Sequence, residues 1–91
     1  MKVEWDEDKR LANARKHGID FVDAVAVFDG DIVTIEDDRF EYGEQRFLTL
    51  GVLNERVVVI IHTERKNVTR IISVRKATRY EERRYFEQIA D

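Results

Sequence analysis

Apolar residues fall in two rhythms along this chain. Phe21, Ala24, Val25 and Phe28 recur at spacings of three and four, which predicts a short helix. After residue 45 the rhythm changes. Arg46–Val52, Arg56–Thr63 and Val68–Arg75 are short runs rich in β-branched residues, which predicts three strands joined as a meander. Leu53-Asn54-Glu55 and Glu64–Asn67 are the predicted turns between them. Val3-Glu4-Trp5 alternates and predicts a first strand; Ile32–Ile35 predicts another. From Glu36 to Glu44 the chain is acidic and polar and contains Gly43, which predicts a loop.

Two further helices are announced by their ends. Asp6 can accept a bond from a free backbone N–H of a first turn, and Glu7 and Asp8 suit the positive end of the helix dipole. Arg15, Lys16 and His17 suit the negative end, and Gly18 offers the left-handed conformation that stops a helix. A helix over 7–17 follows, with Leu11 and Ala14 on its inward side. Thr78 and Glu81 form the S/T-x-x-E pattern of a capping box. A last helix therefore runs from Arg79 to Ile89, with Tyr85, Phe86 and Ile89 as its buried residues.

The order β-α-α-β-β-β-β-α predicts an α+β fold, with helices packed on a mostly antiparallel sheet. Ninety-one residues make one domain, 1–91, with a modest core. There is no cysteine, so disulfides and thiolate metal sites are excluded. No apolar run has the length of a signal peptide or a membrane span, which predicts a cytoplasmic protein with no membrane partner.

Charge changes the picture further. The net charge is −3, but residues 1–45 hold 6 Lys/Arg against 13 Asp/Glu, and residues 56–84 hold 9 against 3. Such asymmetry points to an anionic ligand or a charged partner, or to two halves that neutralise each other in the fold. In IISVRKATRYEERRY, residues 71–85, Arg75 and Lys76 end a strand and precede a helix start. A phosphate there could use both cations and the free N–H groups of the first turn. Equally, Arg75 and Lys76 could pair with acidic residues of the first half of the chain, while Arg79, Arg83 and Arg84 form a solvated helix face.

Only two histidines are present. His62 shares a strand face with Val58, Ile60 and Glu64, and could serve as general acid or base or as a core-edge imidazole held by one hydrogen bond. His17 closes its helix as a capping cation. Arg46 opens a strand and could reach phosphate, or pair with Glu44 or Glu64. Trp5, Phe40, Tyr42 and Tyr80 could stack on bases, although Trp5 suits the core better. The acidic loop at Glu36-Asp37-Asp38 is better explained by solvation than by a cation. No Gly-rich phosphate loop and no serine nucleophile motif is present. The residues alone thus give a small α+β domain with a candidate polyanion site.

Several stretches resemble the BrnT family of bacterial toxins, which have a RelE-like fold. EWDEDKRLANARKHGIDFVDAVAVF resembles the family's opening, GEQRFLTLG its middle strand, and IHTER with RIISVRKATRYEERRYF its closing signature. Val74 departs from the small alanine common before the arginine.

The resemblance implies a ribonuclease toxin that needs neither metal nor cofactor and blocks translation. It also implies a BrnA-type antitoxin that binds operator DNA on the toxin's behalf, in a heterotetramer with two copies of each chain. Cleavage without a metal, by attack of the 2′-hydroxyl, needs a base, an acid and cations. Lys16, His17, Arg46, His62, Glu64, Arg70, Arg75 and Lys76 offer those types. Arg75 and Lys76 are assigned to phosphate, with Arg46, Arg70 and Arg79 as further RNA contacts. His62, or else His17, would move the proton, with Lys16 as an alternative acid. A non-enzymatic binding or corepressor module, and a toxin of this fold acting on a topoisomerase, are the rival readings.

Overall fold

The computed structural model describes residues 1–39, 41 and 43–90. Strand β1 (Lys2–Trp5) leads into helix α1 (Glu7–His17), helix α2 (Phe21–Ala24) and a 3₁₀ turn (Val25–Asp29). Then come β2 (Val33–Asp37), β3 (Arg46–Leu53), β4 (Arg56–Arg65), β5 (Val68–Lys76) and helix α3 (Arg79–Ile89). The five strands form one sheet in the order β1-β5-β4-β3-β2. All neighbours run antiparallel except β1 and β5, which are parallel. This is the predicted α+β fold with its predicted element order.

Both hairpins of the meander close through two residues in the left-handed region. They are Asn54 (φ 49°) with Glu55 (φ 66°), and Lys66 (φ 51°) with Asn67 (φ 66°). Two successive positive φ values give the turn whose twist matches that of the strands. The strands therefore run further than predicted, with Leu53, Glu64 and Arg65 inside them. β2 likewise reaches Glu36 and Asp37, past the predicted end at Ile35. Phe40 and Tyr42, the candidate stacking residues of the acidic loop, lie outside the described residues.

Register assigns side chains to two faces. On one face Val58, Ile60, Ile71 and Val74 pack under Phe21, Ala24 and Val27. Trp5 meets the Phe21 ring edge-on at 6.1 Å, a core role as expected. On the other face Leu48, Leu50, Val57 and Val59 pack against Tyr85, whose hydroxyl donates to the Asp31 carbonyl at 2.7 Å. Helix α3 crosses this face mainly over β2 and β3. Gly51 sits where the 3₁₀ turn comes closest to the sheet; a Cβ there would lie 2.4 Å from Val27 Cγ1.

Helix packing departs from the pattern reading at three places. Leu11 is 43% exposed, and the buried residue of α1 is Asn13. Phe86 and Ile89 are 49% and 39% exposed, so Tyr85 alone of the three predicted α3 residues is buried. The cause is coverage: α3 lies across the sheet's edge half, and the far side of the helix has nothing to pack against.

Candidate functional site

Three elements meet at the end of the sheet where β5 stops. Helix α1 ends there with Lys16 and His17, halted by Gly18 in the left-handed conformation (φ 72°). Strand β5 ends there with Arg75 and Lys76, and the β3–β4 turn brings in Arg56. His17 and Lys76 line a cleft of about 560 Å³ together with Asp23, Asn54 and Arg56. The same two residues line an adjoining cleft with Lys16, Arg75 and Thr78. Lys16, His17, Arg56, Arg75 and Lys76 thus line two adjoining clefts that share His17 and Lys76.

Arg75 and Lys76 part company at the sheet. Lys76 pairs with Val58 on the α1 face, whereas Arg75 pairs with Val59 on the α3 face. The Arg75 guanidinium donates to both oxygens of Glu81, at 2.8 and 2.9 Å, and to the Lys76 carbonyl at 3.2 Å. Glu81 also accepts from the Thr78 N–H at 2.8 Å, while the Thr78 hydroxyl accepts from the Glu81 N–H, completing the predicted capping box. The guanidinium holds the Glu81 carboxyl down at about 2. Glu81 in turn raises the Arg75 pKa. Arg75 is thus paired with an acidic residue, but with Glu81 of the last helix and not with one of the first half.

His62 stands elsewhere. It lies four residues along β4 from Val58, roughly 13 Å from the Lys76 position at 3.3 Å per residue. Its ring is 3% exposed and sits between Phe28, edge-on at 5.3 Å, and Phe47, stacked at 5.9 Å. Nδ1 donates to the Glu64 carboxylate at 2.8 Å; Nε2 then accepts from the Thr49 hydroxyl at 2.6 Å. Thr34 and Thr69 extend this chain at either end, to Thr49 and to Glu64. Burial lowers the His62 pKa against the opposing pull of Glu64. A satisfied polar chain across four strands is thus added to the core.

The remaining predicted contacts are spread out. Arg70 bonds Glu4 at 2.5 Å on the α3 face of β1 and β5. Arg46 lies 3.6 Å from Glu44 at the opposite end of the sheet from Lys76. Arg79 is the first residue of α3, exposed and three residues past Lys76. A separate, mostly apolar groove runs between β2 and α3, lined by Val33, Ile35, Leu48, Leu50, Tyr80 and Tyr85. Ile35 and Tyr80 are exposed along it.

The family of BrnT ribonuclease toxins of type II toxin–antitoxin systems matches residues 5–81. The chain belongs to this family. No curated protein matches it. A BrnT toxin is a ribonuclease, and a type II toxin has an antitoxin partner. Among the described residues no helix is long and apolar enough to cross a membrane.

Two residues of this BrnT chain's cleft region escaped the sequence reading. Arg56 begins a strand straight after a turn, and nothing local marks its direction. Asn13 left a signal: it lies four positions before His17, and so on the same side of α1. A polar residue at that place reads as solvated until the strand behind it is known.

Proposed function

We propose that this BrnT toxin cleaves RNA without a metal ion, in the depression where His17 and Lys76 meet. The observation that carries this reading is the convergence of Lys16, His17, Arg56 and Lys76, from α1, β4 and β5, on two adjoining clefts. In the reaction the RNA 2′-hydroxyl attacks the adjacent phosphorus and the bond to O5′ breaks. The products are a 2′,3′-cyclic phosphate and a 5′-hydroxyl. His17 takes the 2′-hydroxyl proton, and Lys16 supplies one to the leaving oxygen. Lys76 and Arg56 hold the phosphate oxygens and the charge that develops on them. Arg79, at the N-terminal turn of α3, extends the cationic track.

In this reading His62 supports the sheet and does not touch RNA, because its ring is enclosed and both nitrogens are occupied. Arg75 positions the Lys76 backbone through its bonds to Glu81 and the Lys76 carbonyl. Arg46 and Arg70 contribute only to the field that draws in RNA. The cellular consequence is a block of translation in the cytoplasm. The neutralising partner is a BrnA-type antitoxin in a complex with two copies of each chain, and operator DNA is reached only through that partner. The exposed apolar groove between β2 and α3 supports a partner seat on that side.

The test is cleavage of free and ribosome-bound messenger RNA by the purified chain in EDTA, with His17→Ala and Lys76→Ala alongside. Cleavage by the native chain and its loss in both variants is the expected result. Native rates in both variants would place the chemistry elsewhere. No cleavage of either RNA would favour a protein that only holds its partner.

A further inference from the structure

Asn13 lies on the inner side of α1, 7% exposed, one helical turn before His17. Its amide is fully used. Nδ2 donates to the carbonyl of Val74 at 2.9 Å and to the carbonyl of Ile19 at 3.0 Å. Oδ1 accepts from the Val74 N–H at 3.1 Å. The topology explains this choice of partners. β1 pairs with β5 only from Val68 to Ile71. Beyond Ile71 that edge of β5 has no strand beside it, and its buried peptide groups still need partners. A carboxamide carries the same donor and acceptor as a peptide group. Asn13 therefore continues the sheet at Val74 after β1 has ended.

The two anchor points flank the cleft. Val74 precedes Lys76 by two residues, and Ile19 follows His17 by two. Residues 13 and 74 are 61 positions apart in the chain, yet one side chain joins their backbones. We infer that Asn13 is a positioning residue for RNA cleavage: through three backbone hydrogen bonds it sets the separation of His17 from Lys76. This rests on the cleft reading above. Asn13 touches no substrate. Its effect is the placement of groups that do, and a displacement of about 1 Å can cost on the order of a hundredfold in rate.

The experiment uses the full chain as Asn13→Ala and Asn13→Gln, with His17→Ala and Lys76→Ala as references. Circular dichroism gives the folded fraction of each variant, and kcat and KM for RNA cleavage are taken per folded molecule. A merely structural role lowers the folded fraction and leaves both constants native. Positioning lowers kcat per folded molecule by about tenfold or more, with a smaller change in KM. Asn13→Gln carries the test if the alanine variant does not fold, because it keeps the amide and moves it by one methylene. A native kcat per folded molecule in either folded Asn13 variant overturns the inference. If that happens while the reference variants are inactive, only the positioning role fails. If the reference variants cut at the native rate, the cleft reading fails, and Asn13 has nothing there to position.

Discussion

Arg75 and Glu81 are joined by two parallel hydrogen bonds, 2.8 and 2.9 Å long, across the junction of β5 and α3. The pair converts the most conspicuous cation of the sequence into a tie. It fixes where the helix starts relative to the strand end, and it leaves Lys76 as the free-facing charge of the dipeptide.

Glu81→Ala removes half of a capping box and the partner of a half-buried guanidinium. The expected cost is about 2 kcal/mol. The native tie is also acid-sensitive in a defined window. Glu81 is held at about 2 against an ordinary value of 4.5, so the unfolded chain binds its proton first. This stabilisation is present above pH 4.5 and is lost as pH falls toward 2. Thermal unfolding from pH 5 down to pH 2 should show the loss, and Glu81→Ala should flatten it. Parallel curves for the two proteins would exclude the pair as a stabiliser.

His62 gives a second, higher window. Its folded pKa lies below the ordinary 6.5, so it is the unfolded chain that takes up a proton as pH drops through 6.5. Stability is therefore full above that pH and declines below it. Protonation would also put a hydrogen on Nε2, where Thr49 now donates. Melting temperatures of the native chain at pH 7.5 and 5.5 should differ, and His62→Gln should narrow the difference. His62→Ala, which empties an enclosed site and strands two polar partners, should cost about 2–4 kcal/mol.

Gly51→Ala tests the contact between the 3₁₀ turn and the sheet. The new methyl would lie 2.4 Å from Val27 Cγ1 and 3.2 Å from Ile32 Cγ2. Backbone or side chains must shift, at about 1–3 kcal/mol. Urea unfolding at neutral pH measures it. An unchanged midpoint would mean that Val27 moves aside freely.

Glu55→Gly should act in the opposite sense. Glu55 is exposed and held at φ 66° with no glycine to ease it. Glycine there should add about 0.5–1 kcal/mol, the relief of the left-handed conformation less glycine's own entropy. A lower melting temperature would mean that the glutamate side chain stabilises the turn.

Most of the fold was legible because its signals are local. The caps at Asp6, Gly18 and Thr78 named both long helices, and the β-branched blocks named the strands. The residue types of the candidate site were legible, and their placement was not. Alternation along one strand put Arg75 and Lys76 on opposite faces, yet the junction reading treated them as one cationic unit. Glu81 was read as a cap, and that it also grips Arg75 depends on how the helix leaves the sheet. His62 was a plausible proton carrier until Phe28, from the 3₁₀ turn, closed over it. Asn13 faces inward because a strand 61 positions away runs out of neighbours, and no window of sequence contains that.

The parallel pairing of β1 with β5 has a bearing on the timing of synthesis. Lys16 and His17 are made well before Lys76 and the strand that Asn13 grips. A chain still emerging from the ribosome has one wall of the cleft and not the other. On the proposed reading, a growing chain therefore cannot cut RNA until β5 has been made and has paired.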